Sequence, residues 1–217
     1  MAKISAKLVK ELRDLTGAGM MDSKKALVES DGDLEAAQIW LRENGVLKAA
    51  KKSSRIAAEG MVDSYIHAGG KVGVLVEINS ETDFVAQNET FREFAHNVSL
   101  QIAAMNPLWV SRDEVPEDVL EQEREIVRNE ALKEGKPEKV VDKIVEGRIE
   151  KFYQTNCLLE QSYIRDEEKT IQELLVEKIA EIGENLVIRR FTRYQLGEGI
   201  EKEEDNFAEE VARQLNA

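Results

Sequence analysis

The 217-residue sequence is poor in the residues that mark disulfide-rich, disordered and membrane proteins. Its single cysteine excludes an internal disulfide, which favours a reducing compartment such as the cytoplasm. Three prolines and 13 glycines leave little room for a long disordered linker. No uncharged apolar run is long enough to span a bilayer. The opening stretch MAKISAKLVKELRDL carries charges among its apolar positions, so it predicts a helix and not a signal peptide. We therefore expect a cytoplasmic globular protein with no membrane partner.

The residues of common catalytic and metal sites are also scarce. His67 and His96 are the only histidines, and neither stands at ligand spacing from the other or from Cys157. We interpret both as structural or surface residues and Cys157 as a free buried thiol. The glycines at 17–19 and 69–70 lack the other residues of a nucleotide-binding loop. We predict that the chain is not an enzyme and has no metal ligand and no cofactor. A small hydrolase with scattered carboxylates is an alternative that a concave pocket with paired carboxyl groups would favour.

Charge is distributed unevenly along the chain. The formal net charge of −13 repels nucleic acid and anionic membranes, so no direct nucleic-acid binding is expected. Residues 1–55 nevertheless carry 11 Lys and Arg against 8 Asp and Glu, whereas residues 56–217 carry 19 against 35. The pattern favours a mildly basic first module on an acidic body. The basic stretch at 48–55 is interpreted as a solvated helical linker or, alternatively, as a contact strip for an acidic surface.

The first module is predicted to contain three short helices. Ser5, Asp22 and Asp33 are suited to cap their N-termini, and Gly17 and Gly45 to end the first and third. The apolar residues expected in its small core are Leu8, Val9, Leu12, Leu15, Ala26, Leu27, Leu34, Ala37, Trp40, Leu41, and Met20 or Met21.

After residue 60 the hydrophobic period changes from helical to alternating. Residues 61–79 predict an antiparallel hairpin around Gly69 and Gly70. Helices are then predicted from about 88 to 105, from 117 to 133, from 137 onward and after the capping box at 170–173, followed by a strand over 186–196. In the tail, Phe207, Val211 and Leu215 fall on one stripe, which predicts a helix that must dock to be stable.

These elements predict an α+β fold in three parts. Residues 1–55 form a three-helix head with its basic linker, and residues 56–200 an α+β core with a small antiparallel three-stranded sheet packed with helices. Residues 201–217 form a C-terminal helical docking module.

One polar segment carries two apolar residues in an unusual place. Phe84 and Val85 follow the most regular strand and precede a helix that is predicted to begin near Asn88. Composition alone favours Phe84 folding back onto the sheet. The alternative is an exposed aromatic ring, flanked by a carboxylate and offered to a partner.

At these residues the sequence resembles a known family. The stretches LRDLTGAGMMDSKKAL at 12–27, EINSETDFV at 77–85 and LGEGIEK at 196–202 are similar to signatures of elongation factor Ts, the guanine-nucleotide exchange factor for the GTPase elongation factor Tu. Together they bracket nearly the whole chain. Its length resembles the short form of the family.

The resemblance implies a fold, a function and partners. The head would be a ubiquitin-associated-like module that contacts the nucleotide-binding domain of elongation factor Tu, with Arg13, Lys24 and Lys25 as candidate contacts. The segment Thr82, Asp83, Phe84 and Val85 would displace Mg²⁺ from the GTPase, and the C-terminal helix would dock beside the head or the GTPase. Two copies would pair through their sheets, giving a homodimer and a two-plus-two complex.

Two residues of this segment are expected to play separate parts. We predict that Phe84 is a wedge and that Asp83 orders the loop or contacts the partner, because a single loop carboxylate is a poor Mg²⁺ site. A protein-binding adaptor without exchange activity is the alternative function, and it would have no need of the 77–85 signature.

Overall fold

The structure is a computed structural model that describes residues 4–200. Its α-helices are α1 (Ala6–Thr16), α2 (Met20–Glu29), α3 (Leu34–Lys52), α4 (Asp83–Ala86), α5 (Glu89–Met105), α6 (Glu117–Lys133), α7 (Glu138–Asn156) and α8 (Ile171–Ile182). Its strands are β1 (Glu59–His67), β2 (Val72–Ser80), β3 (Ser162–Tyr163), β4 (Asp166–Thr170) and β5 (Val187–Gln195). This mixture of helices with a small antiparallel sheet confirms the predicted α+β class. The predicted helix within 201–217 lies outside the described residues.

The head consists of α1, α2 and the first half of α3. The Ser5 side chain accepts a hydrogen bond from the Leu8 amide at 3.2 Å, and Gly17 ends α1 in the left-handed region at φ 68°. Asp33 caps α3 by accepting from the Ala36 amide at 2.8 Å. These predicted helix ends are therefore confirmed. The core of the head comprises Val9, Leu12, Ala26, Leu27 and Ala37, with Ile4, Leu8, Leu34, Trp40 and Leu41 partly buried against it.

Four details of the head were predicted wrongly, and the first is Leu15, which was expected in the core but is 62% exposed. Helix α2 begins at Met20 with Gly19 as its N-cap, so Asp22 lies within its first turn. Met20 and Met21 are 60% and 77% exposed and do not fill the core. Gly45 does not end α3, which continues to Lys52.

Helix α3 passes through Gly45, which is buried and faces α8. A Cβ atom at Gly45 would lie 3.8 Å from the Ala180 Cβ and 3.9 Å from the Val176 Cγ1. These are ordinary van der Waals distances, so the contact with α8 does not require a glycine, and the helix tolerates its intrinsic cost of about 0.5–1 kcal/mol relative to alanine. The basic stretch that follows is helical as far as Lys52.

The three-stranded sheet has the order β1-β2-β5, with both pairs antiparallel. The predicted hairpin and last strand are confirmed, and the hairpin turn uses Gly69 and Gly70 at φ 67° and 92°. Helix α5 packs on the inner face of β1 and β2, and α8 packs against α5 and α3 in the same core. The main core includes Val74, Val76, Ile78, Phe91, Phe94, Val98, Ile102, Leu158, Ile171, Leu174, Leu175, Ile179, Leu186 and Ile188.

Helices α6 and α7 form an antiparallel pair beside this core. Their own apolar seam contains Val127, Ala131, Val141, Val145 and Ile149. The capping box predicted at the start of α8 is present, with Thr170 and Glu173 each bonding the main chain of the other. The β3–β4 pair was not predicted because a two-residue strand is too short to show a hydrophobic period. None of the helices described for residues 4–200 combines the length and apolarity needed to cross a bilayer.

Candidate functional site

The segment that follows β2 forms a single helical turn that exposes Phe84. We call residues 81–87 the Phe84 turn. Successive residues of a helix point about 100° apart, and here Val85 points inward at 9% exposure while Phe84 points outward at 80%. Asn88 then caps α5 by accepting from the Thr90 amide at 2.8 Å. Phe84 therefore does not fold back onto the sheet, and the interpretation of an exposed ring is confirmed.

The first two residues of this turn, Glu81 and Thr82, bind a distant part of the chain. The carboxylate of Glu184 accepts hydrogen bonds from the Thr82 amide at 3.0 Å and from the Thr82 hydroxyl at 2.7 Å. In return, the carboxylate of Glu81 accepts a hydrogen bond from the main-chain N–H of Asn185 at 2.6 Å. We call these four residues the two-carboxylate network.

The linker between the head and the sheet joins the same network. The Asn185 side chain donates to the Arg55 carbonyl at 2.8 Å, and the Arg55 guanidinium lies 3.4 Å from Glu81. No sequence pattern pointed to Arg55, Glu184 or Asn185 as contributors to the site. The sequence carries no signal for these contacts because 130 residues separate Arg55 from Asn185 and 102 separate Thr82 from Glu184.

In the head, the structure brings together two of the three predicted contact residues. Arg13 and Lys24 line one shallow groove with Met20 and Met21. We call these four residues the Met20 groove. Lys25 instead lies with its Nζ 5.5 Å from the centre of the Trp40 ring. Lys25 thus packs on the head itself, although it remains solvent-exposed.

The chain matches one family along almost its whole length. The sequence model of the family "Elongation factor TS" matches residues 2–198. A curated relative from Desulforamulus reducens, named Elongation factor Ts, is 61% identical over 217 residues, covering all of both chains. Relatives of the same name from Acetivibrio thermocellus and Syntrophomonas wolfei are 61% and 58% identical, each covering 98% of this chain and 99% of the relative.

The chain belongs to the elongation factor Ts family. Membership assigns it to the elongation phase of translation, which confirms the resemblance seen in the signatures at 12–27 and 77–85. The roles of Thr82, Asp83, Phe84 and Val85 and of the head residues are not decided by this assignment and are taken up below.

The outer face of the sheet is a further exposed surface of this elongation factor Ts family member. On this face, the carboxylate of Glu77 accepts hydrogen bonds from Arg189 at 2.7 Å and from Arg190 at 2.6 Å. These two bonds lower the pKa of Glu77 to about 2, so it is ionised at neutral pH. The large apolar side chains exposed on this face are Val62, Ile66, Leu75 and Tyr194.

The other residues considered for chemistry have structural surroundings. Cys157 is fully buried, as predicted, and this burial raises its pKa to about 11, with a smaller contribution from Glu160. The Tyr65 hydroxyl lies 2.8 Å from His67 Nδ1, and His96 Nδ1 lies 3.8 Å from Asp63. Within residues 4–200, no group of three or more His, Cys, Asp or Glu residues is placed to hold a metal ion.

Proposed function

We propose that this chain is a guanine-nucleotide exchange factor for elongation factor Tu in the cytoplasm, and that Phe84 drives nucleotide release. The proposal rests on family membership together with one observation: the ring of Phe84 is 80% exposed on a turn whose neighbour Val85 is buried. An exposed phenylalanine held above a buried anchor is suited to enter an apolar pocket of another protein.

Exchange requires differential binding and no covalent chemistry. A GTPase holds its nucleotide through a phosphate-binding loop and a Mg²⁺ ion that bridges the phosphates. An exchange factor must bind the nucleotide-free GTPase more tightly than the loaded one. By reciprocity, it then weakens nucleotide binding by the same factor. The chain therefore accelerates the release of a bound nucleotide. Because no covalent bond forms or breaks, it is not an enzyme.

Burial of Phe84 can supply this differential energy. Fully burying a phenylalanine side chain contributes about 1.5–3 kcal/mol, and each 1.4 kcal/mol corresponds to about tenfold in affinity. If the pocket on elongation factor Tu opens only when its Mg²⁺-binding region shifts, the burial energy favours that shift. Thr82, Asp83 and Val85 shape the turn, and the exposed Asp83 is free to contact the partner.

The head is assigned the role of holding the partner. The Met20 groove combines two exposed methionines with the cations Arg13 and Lys24, which suits an amphipathic surface bearing acidic residues. Residues 1–55 act as one contact module of ubiquitin-associated type, residues 56–200 carry the Phe84 turn, and residues 201–217 dock beside the head or the GTPase.

A second copy of the chain is assigned to the outer face of the sheet. The exposed residues Val62, Ile66, Leu75 and Tyr194 lie on three adjoining strands. Pairing two such faces removes this apolar area from water and yields a homodimer, and with the GTPase a two-plus-two complex.

The test replaces Phe84 by alanine and measures GDP release from elongation factor Tu by stopped flow. We expect the release rate at saturating factor to fall by about tenfold to a hundredfold, because the burial energy is lost. Leu132→Ala, an exposed residue of α6, is the control and should leave the rate unchanged. A Phe84→Ala protein that releases GDP as fast as the parent would disprove the wedge. Tight binding by the parent chain without any acceleration would indicate an adaptor instead.

A further inference from the structure

The Phe84 turn has few internal contacts to fix its orientation. Helix α4 contains only four residues, and Thr82 at its N-cap makes no side-chain hydrogen bond to it. A single helical turn is not stable alone in water, because nucleation is unfavourable and only begins to be offset in longer helices. The direction of the Phe84 ring must therefore be set by contacts with other parts of the chain.

Glu184 provides the most direct of these contacts. Each of its two carboxylate oxygens accepts one hydrogen bond from Thr82, at 3.0 Å from the amide and 2.7 Å from the hydroxyl. The hydroxyl that would otherwise cap α4 is thereby engaged by Glu184. Hydrogen bonds to an ionised carboxylate are stronger than neutral ones. Two of them to one residue fix both its main chain and its side chain.

The hydrogen bond from Asn185 to Glu81 further restricts movement of the Phe84 turn along the 184–185 segment. Residues 81 and 82 bind residues 184 and 185 in both directions, since Glu81 accepts from the Asn185 amide at 2.6 Å. Gly183 ends α8 at φ 90°, in the left-handed region, immediately before this segment. A displacement of the Phe84 turn would break hydrogen bonds on both sides at once.

We propose that Glu184 is a positioning residue for nucleotide exchange, which sets the direction of Phe84 before the partner arrives. This inference rests on the proposed function of Phe84. Burial of the ring favours GDP release in full only when the turn is already ordered, because ordering during binding consumes part of the interaction energy. Glu184 does not need to touch the partner to have this effect.

The test compares Glu184→Gln with the control Glu168→Gln, which removes the same charge from the exposed strand β4. Glutamine can accept from the Thr82 amide and donate to the Thr82 hydroxyl, but both contacts lose the charge of the carboxylate and become the weaker, neutral kind. We expect the rate of GDP release at saturating factor to fall about tenfold, equivalent to about 1.4 kcal/mol. The factor concentration for half-maximal release should change less than about twofold, because the head surface is untouched. The control should match the parent in both quantities.

The decisive readout is the same substitution in a Phe84→Ala background. A positioning role predicts almost no further loss there, because no ring remains to be aimed. Equal slowing in both backgrounds would indicate a merely structural role and overturn the proposal. If Glu184→Gln does not fold, as judged by circular dichroism, Glu81→Ala removes the opposite half of the network and the same comparison decides.

The two proposals fail in different ways. If Phe84→Ala slows release and Glu184→Gln does not, only the positioning role is lost. If Phe84→Ala itself releases GDP at the parent rate, the proposed function fails, and the positioning role fails with it.

Discussion

The head and the sheet both expose apolar side chains, but they hold them in place by different means. In the head, Met20 and Met21 lie at the start of α2, above a core of five fully buried or nearly buried residues. In the sheet region, Phe84 lies on one helical turn anchored by Val85 and by the carboxylates of the two-carboxylate network. One surface depends on a small hydrophobic core and the other on specific polar contacts.

The proposed function assigns different tasks to the two regions. Helix ends and a compact core present a broad patch, which suits affinity for a partner. A single ring in a fixed direction suits a step that must distinguish two states of that partner. The head and the Phe84 turn use separate groups of residues. A substitution that impairs one of them should therefore leave the other intact.

The largest effect is expected from Leu12→Ala, which creates a cavity in the core of the head. Leu12 is fully buried, so the change should cost about 2–5 kcal/mol, a large loss for so small a core. We expect half-maximal GDP release to require more than about tenfold more factor, while the rate at saturation stays within about twofold of the parent. A fluorescence melt of a Trp109→Phe background, which leaves Trp40 of the head as the reporter, should show the head unfolding at lower temperature.

Leu15→Ala is the matched control for this change. Leu15 lies on the same helix but is 62% exposed, so its removal should alter stability by less than about 0.5 kcal/mol. If Leu12→Ala lowered the saturating rate as strongly as the affinity, the head and the Phe84 turn would not be separate devices.

An intermediate effect is expected at the outer sheet face. Leu75→Asp places a charge in the centre of the face assigned to the homodimer, where Leu75 is 52% exposed in the single chain. We expect light scattering to show a monomer at concentrations where the parent is dimeric, with little change in the melting temperature of the head. Leu108→Ala, exposed in the segment after α5, is the control. A parent that remains monomeric at all concentrations would remove the homodimer proposal.

The smallest effects are expected from two adjacent lysines of α2. Lys24 lies in the Met20 groove, whereas Lys25 lies over the Trp40 ring. Lys24→Ala should weaken binding to elongation factor Tu by a few-fold without changing stability, because rim charges act mainly on association. Lys25→Ala should lower the stability of the head by about 0.5–1 kcal/mol through loss of the cation–π contact. Titration calorimetry and thermal melts distinguish the two, and the reverse assignment of effects would contradict the geometry.

Much of the fold could be predicted because its signals are local. Ser5, Asp33 and the Thr170 capping box mark helix starts through bonds that span three residues. The hairpin was visible from its alternation and its two glycines. Gly45 was misread because a glycine that ends a helix and one that lies within a helix look the same in sequence. Met20 and Met21 were misread because a methionine that faces solvent and one that fills a core look the same in sequence.

For the candidate site, the sequence predicted which residue matters but not which way its side chain points. The 77–85 signature pointed to Phe84, but composition favoured a buried ring over an exposed one. In the structure Val85 occupies the core, its neighbour Phe84 faces solvent, and Thr82 is hydrogen-bonded to Glu184. Neither contact has a sequence signature.

The amino-acid sequence by itself determined the helices, the hairpin and membership of the elongation factor Ts family, since these depend on neighbouring residues and on short signatures. Only the tertiary structure decided that Phe84 faces solvent and that residues 81–82 and 184–185 bind each other. The physical reason is that such contacts join segments about a hundred residues apart. Their partners are chosen by packing of the whole chain, not by local propensity.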